Sequence, residues 1–422
     1  MKRSVRFLLA SLLVCSLPFS GFAQDYEYTP SPEHLEQARE ILEEVPLIDG
    51  HNDTPWQFRA RADYSFSDLS FLKTDTLNRP MHTDITRLKD GGVGGQFWSV
   101  FVPTGFSPNK AIRATFEQID FVHRMASRYP ETFEIARTSG DIGRIHKEGK
   151  IASLIGAEGG HSIGNSLGVL REFFRSGVRY MTLTHADNTD WADSATDQPE
   201  HGGLTEFGRK IIREMNRLGM LIDLSHVSVE TMEDALQISK APVIFSHSSA
   251  RQVTQHVRNV PDSVLNMVEK NGGVVMVTYV TSYVSEEVRQ YKAKLSGKRK
   301  TLRMLYSDRP KKVERKLEAW KEKHPQPRAH LEDVADHIDY IKNRIGVEHV
   351  GIGADYDGTS PLPVGLSDVS TYPNLIAELL ERGYSEKEIK QIAGENILRV
   401  MRKAEQVSEE LSQKETPATQ EI

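Results

Sequence analysis

Three features of the 422-residue sequence predict an α/β fold closed as a (β/α)8 TIM-type barrel. Eight short apolar runs alternate with longer amphipathic stretches, each run ends in Gly or polar residues, and no GxGxxG turn follows the first run as an open dinucleotide-binding sheet would require. The runs are 45–51 (VPLIDGH), 93–102 (VGGQFWSVFV), 151–158 (IASLIGAE), 180–185 (YMTLTH), 221–226 (LIDLSH), 242–247 (PVIFSH), 273–279 (GVVMVTY) and 349–355 (HVGIGAD). Near-continuous apolar strands imply a parallel sheet buried on both faces. Helical periodicity fills the gaps at 165–176, 204–218, 229–239, 261–270 and 332–344.

The flanks read differently. Residues 1–23 form a secretory signal peptide: Lys2, Arg3 and Arg6 precede the apolar run from Phe7 to Val14, and Gly21-Phe22-Ala23 supplies small residues for cleavage near Ala23. That run is too short for a bilayer of about 30 Å, so a secreted or periplasmic protein without a membrane anchor is expected. Cleavage removes the only cysteine, Cys15, and takes the net charge from −6 to −9. Stability must then come from a large core rather than disulfides. No global basic footprint points to nucleic acid. Residues 24–405 are assigned to the barrel and 406–422, rich in Glu, Gln, Ser and Thr, to a disordered tail. The segment 285–324 carries 14 Lys or Arg against 6 Asp or Glu and is expected to be a solvated helical insertion after the seventh run.

The chemistry is concentrated at the run ends. In a barrel of this type the C-terminal ends of the strands form the active-site face. His51, Glu158, His185, His226, His247 and Asp355 end their runs there, and Asp53, two residues past His51, points to the same side. One histidine at a strand end is ordinarily structural. Seven such groups at one mouth, all His, Asp or Glu, suit a borderline hydrolytic metal, and a carboxylate among imidazoles can seat a metal pair. His82, His123, His146, His201 and His256 have no partner motif and are expected to be local hydrogen-bonding residues; Trp56 and Trp98 are expected in the core or pocket wall, and His161 beside the metal ligands.

These residues sit in motifs that resemble the membrane (renal) dipeptidase family of zinc peptidases, in the metal-dependent hydrolase superfamily. The motifs are Leu47-Ile48-Asp49-Gly50-His51-Asn52-Asp53, Glu158-Gly159-Gly160-His161, Thr182-Leu183-Thr184-His185, Ile222-Asp223-Leu224-Ser225-His226, Phe245-Ser246-His247-Ser248 and Gly351-Ile352-Gly353-Ala354-Asp355, ordered and spaced as in the family from about residue 40 to 405. The resemblance implies a binuclear site holding two Zn2+ per chain, with His51 and Asp53 on one, His226 and His247 on the other, and Glu158 bridging. It implies that His185 faces the substrate carbonyl, Arg251 holds the substrate carboxylate and Asp355 handles protons; Val334-Ala335-Asp336-His337 also fits the family pattern, and His337 there is read as structural. The activity implied is hydrolysis of free dipeptides, L-D ones included, by a metal-bridging hydroxide, and family analogy adds a homodimer as an expectation. A deacylase of N-acyl-D-amino acids or a lactonase on the same barrel is the nearest alternative, and a non-catalytic metal- or peptide-binding protein is the alternative from another class.

Overall fold

The structure is a computed structural model that describes residues 28–419. The expected signal peptide and Cys15 lie outside the described residues. Nine strands form one parallel sheet: β1 Leu47–Asn52, β2 Val93–Ser99, β3 Phe133–Ile135, β4 Ile151–Glu158, β5 Val178–Thr182, β6 Leu221–Asp223, β7 Ile244–Phe245, β8 Val274–Val277 and β9 Val350–Ile352. Pairing runs β2-β1-β9-β8-β7-β6-β5-β4, and a β2–β4 pairing closes the ring at eight strands. Each of the eight apolar runs supplies one ring strand.

The ninth strand, β3, was not expected from the sequence. Only three residues long, it pairs Phe133 with Ile151 and Ile135 with Ser153, while β5 joins the same edge of β4 from Ile155 onward. A short Phe-Glu-Ile run carries too little periodicity to be read, and only the unpaired first half of β4 gives it a place.

Successive strand residues divide between two layers, as period-two alternation requires. Ile48, Phe97, Leu154, Tyr180, Ile244 and Met276 belong to one buried cluster, which the last helix joins through Ile397, Val400 and Met401. Their neighbours Leu47, Trp98, Ile155, Met181, Phe245 and Val275 belong to the cluster beneath the outer helices. Both faces of each strand are therefore dry, which explains why the runs read as continuous rather than alternating. The helices between strands include Leu167–Arg175, Glu206–Leu218, Val229–Ile238, Asp262–Asn271 and Leu331–Ile345, within a few residues of the periodic stretches.

The chain beyond residue 406 departs from the expected disorder. A helix runs Asn396–Ser412, with Val400, Ala404, Val407 and Leu411 buried along one face toward Glu206–Leu218. The polar composition of this stretch belongs to its outer face, and a four-residue apolar stripe suffices to dock it. The basic segment forms two helices, Glu286–Leu305 and Pro310–Lys323. No helix among the described residues is long and apolar enough to cross a membrane.

His337 has the structural role expected of it. It is fully buried in Leu331–Ile345; its Nδ1 accepts the Ala250 N–H at 3.0 Å, so Nε2 carries the proton and donates to Val284 O at 3.2 Å. Burial pushes its pKa down to about 4. A base whose folded pKa is depressed contributes stability that is fully present above its unfolded pKa of about 6.5 and is lost as pH falls toward 4, here about 3 kcal/mol. Denaturant titration at both ends of that window should show His337→Gln losing about 3 kcal/mol less than wild type on acidification. Equal losses would place the acid sensitivity elsewhere.

Candidate active site

The C-terminal ends of the ring strands converge as the sequence predicts. His51 lies near the end of β1 with Asp53 just beyond it, Glu158 ends β4, and His185, His226, His247 and Asp355 follow β5, β6, β7 and β9 within three residues. Glu158 is the hub. Its Oε1 is 3.1 Å from His226 Nε2, 3.6 Å from His247 Nε2 and 3.7 Å from His185 Nε2, and its Oε2 is 3.4 Å from His51 Nε2. His51 Nε2 also lies 3.4 Å from Asp53 Oδ2. Ligand atoms within 4.8 Å of one another define three overlapping groups: His51, Glu158 and His247; Glu158, His185 and His226; and His51, Asp53 and Asp355.

Partners behind the imidazoles fix which nitrogen faces the centre. The Tyr180 hydroxyl donates to Gly50 O at 3.1 Å and so accepts from His51 Nδ1 at 2.9 Å, leaving the His51 Nε2 lone pair directed inward. That atom is buried and has no hydrogen-bond partner. The Ser246 hydroxyl donates to Asp223 Oδ2 at 2.6 Å and accepts from His247 Nδ1 at 2.8 Å, with the same consequence for His247 Nε2. Asp223 is itself held by Thr182 Oγ1 at 2.5 Å and by the N–H groups of Ser225 and Ser246. Outer partners of this kind orient metal-binding histidines. Gly156 makes the Tyr180 arrangement possible, since a Cβ there would stand 2.0 Å from the Tyr180 ring.

The electrostatics call for a cation. Burial raises the Asp355 carboxyl well above the carboxylate range, and Asp53 beside it adds to the shift. Glu158 is held well below that range, against its full burial, by His51 and His185. Burial, with Arg258 nearby, pushes His226 and His247 well down, toward the neutral form in which an imidazole can bind a metal. Buried acids around an orphaned Nε2 and two Nε2 atoms 2.9 Å apart fit divalent metal ions. The space is kept open by Gly358, where a Cβ would stand 2.1 Å from Asp53 Oδ2 and 2.3 Å from Asp355 Oδ1. His226, Asp355 and Asp357 hold φ of 71°, 64° and 66°, a left-handed backbone concentrated at this mouth.

One expected residue is elsewhere. The Arg251 guanidinium is bound to its own loop, to Asn259 O at 2.9 Å and Val257 O at 2.8 Å, and does not line the cavity. Arg258, absent from the sequence expectation, takes the wall position: it is 1% exposed, donates to Ser248 Oγ at 3.2 Å and His247 O at 3.3 Å, and faces the Tyr283 ring. Among the described residues no carboxylate lies within 4 Å of it, and its Nε is without a partner. The difference follows from loop geometry. Arg251 is nearer His247 in sequence, but the segment 251–260 folds back so that the N–H of Arg251 bonds Val260 O and Arg258 returns beneath the mouth. Burial of an arginine in a loop leaves no sequence periodicity by which to find it.

The cavity, about 480 Å³, is lined by Trp56, Phe101, His185, Arg258, Tyr283 and Asp355 among others. Trp98 is core and Trp56 is pocket wall. His161 donates to Val102 O at 2.9 Å rather than to a metal-site residue. His82 does more than expected, because its Nδ1 accepts the Asp357 N–H and its own N–H bonds Asp357 Oδ1 at 2.7 Å, bracing the loop that carries Asp355.

Comparison with known proteins agrees with this geometry. Residues 35–415 match the family model for membrane dipeptidase, peptidase family M19. Dipeptidase verJ of Clonostachys rogersoniana is 43% identical over 395 residues, covering 91% of this chain and 90% of that protein. The probable dipeptidase PvdM from Pseudomonas aeruginosa superposes with a TM-score of 0.77 at 25% identity, over 89% of this chain and all of that one. A second solved structure, the metallopeptidase called dipeptidase AC, gives a TM-score of 0.70 at 26% identity over 85% of this chain and 98% of that one. With a family model covering the barrel and a 43% identical dipeptidase covering nine-tenths of the chain, the protein belongs to the membrane dipeptidase family, peptidase family M19, and is a metallo-dipeptidase.

Proposed function

We propose that the chain is an exported two-zinc enzyme that hydrolyses free dipeptides, L-D dipeptides among them. The observation that carries the substrate reading is Arg258, a buried cation with no carboxylate partner among the described residues, on the wall of the cavity that contains Glu158. A buried charge is costly unless it is paired. A dipeptide's C-terminal carboxylate supplies that pair in bidentate form, and the Tyr283 ring lies against the same guanidinium. The lining is cationic at Arg258 and acidic at Asp53, Asp355 and Asp357, which suits a zwitterion short enough for both ends to be read.

His51 and Asp53 would hold one zinc, His226 and His247 the other, with Glu158 shared. Zinc bound there supplies activation of water near neutral pH and polarisation of the scissile carbonyl. The chain's own groups do the rest. His185, part-exposed at the cavity and packed on Phe101, donates to the oxygen on which negative charge develops, worth about 3 kcal/mol for such a donor. Asp355 takes the water's proton and returns it to the leaving amine. Export rests on the basic and apolar pattern of residues 1–23, and a homodimer is proposed by family analogy.

The test is amino-acid release from matched L-L and L-D dipeptides, an L-D tripeptide and an N-acetylated dipeptide, with zinc measured before and after chelation. Cleavage of the free dipeptides alone, near two zincs per chain and lost on chelation, is the expected outcome. Cleavage of the acetylated compound alone would move the assignment to a deacylase.

A further inference from the structure

The basic helical pair after β8 plays no part in the chemistry above, and its surface is unlike the rest of the molecule. Across residues 298–316 there are nine Lys or Arg and two acidic residues, in a chain whose formal net charge is −6. Lys298, Arg299, Lys300, Arg303, Lys311 and Arg315 have no carboxylate of the described residues within ion-pairing distance; in this stretch Asp308 is 3.4 Å from Arg309. The last turn of the first helix also presents Met304 and Leu305, 76% and 67% exposed. Of the four large apolar side chains exposed among the described residues, these two alone are adjacent. The pair is not a loose excursion. Leu302, Val313 and Leu317 are buried in a small core of their own, packed by Leu295 and Tyr306, separate from the barrel core.

We propose that this apex is a docking surface for an anionic phospholipid bilayer. Charge complementarity favours a negatively charged partner, and the adjacent apolar pair distinguishes a lipid surface from an acidic protein. Apolar tips enter the headgroup boundary while surrounding lysines and arginines remain at the level of the phosphates. The root of the pair lies at the rim of the cavity: Tyr283 lines the cavity, Glu286 begins the first helix, and Lys292 Nζ bonds Ser282 Oγ at 3.2 Å. The first helix has 20 residues, about 30 Å, so apex and cavity mouth are a helix length apart and docking leaves the mouth open. Contact of this kind needs no spanning segment and no lipid anchor.

The test is cosedimentation of the full-length mature protein with vesicles of phosphatidylcholine alone or with about one third phosphatidylglycerol, at about 0.1 M and about 0.5 M NaCl. Binding is expected to the anionic vesicles only and to be released by salt. Replacing Lys298, Arg299, Lys300 and Arg303 together by Glu should weaken it by at least about tenfold. Met304→Ser with Leu305→Ser should weaken it while leaving the salt dependence. Both variants should hydrolyse a soluble dipeptide at the wild-type rate, which shows that they fold and separates failure here from failure of the substrate reading. Equal sedimentation with both vesicle types, or charge-reversed protein that sediments like wild type, would overturn the proposal. Binding to polyglutamate with none to either vesicle would overturn it in favour of an acidic protein partner.

Discussion

Asp355→Asn is expected to lower kcat by roughly 10²–10⁴-fold, the usual range for a positioned acid-base group, with metal content unchanged. Asp355 is held by the structure rather than by its own side chain. Its N–H bonds His51 O at 3.1 Å, its carbonyl accepts from Gly358, and its φ is 64°. Among non-glycine residues Asn tolerates that backbone conformation well, so the substitution removes the proton site and little else. The wild-type carboxyl stands well above its ordinary range through burial and the neighbouring Asp53. Steady-state kinetics and metal analysis on the same preparation decide the role. Loss of metal would make Asp355 a ligand, as its place with His51 and Asp53 permits, and an unchanged kcat would remove it from the reaction.

Arg258→Met should reduce kcat/KM for dipeptides by roughly 30- to 4,000-fold, the equivalent of about 2–5 kcal/mol for truncating one partner of a buried charge pair. Arg251→Met should change it far less, since the Arg251 guanidinium is bound to its own loop and does not line the cavity. Both side chains are long cations after β7, and composition does not separate them. Their surroundings do. Arg251 spends its donors on Asn259 O and Val257 O, whereas Arg258 is buried against His247 O and Ser248 Oγ with the cavity before it. A dipeptide amide lacking the free carboxylate sharpens the comparison: the Arg258 effect should collapse on it. If Arg251→Met proved the damaging change, the carboxylate assignment would be wrong.

The strand-end positions were legible because barrel geometry turns a one-dimensional rule into a three-dimensional one. A residue that ends an apolar run must lie at the mouth, so the sequence alone places His51, Glu158, His185, His226, His247 and Asp355 together. Loops obey no such rule. Arg258, Tyr283 and the His82–Asp357 brace come from segments whose path depends on what they pack against, and each was missed or misjudged. The tail shows the same limit. A polar segment reads as disordered until a neighbouring helix offers a dry face to Val407 and Leu411.

The amino-acid sequence by itself determined the eight ring strands, the helices between them and the chemical character of the mouth, because period and strand-end position are properties of local order. Tertiary structure alone decided which nitrogen each histidine presents, which arginine faces the cavity and where β3 could pair. Each of these turns on contacts between residues far apart in the chain: Tyr180 with His51, Asp223 with Ser246, the 251–260 loop with the mouth, and β3 with the free half of β4. Such contacts are set by burial and by the need to satisfy most buried polar groups, and neither is visible until the chain has folded.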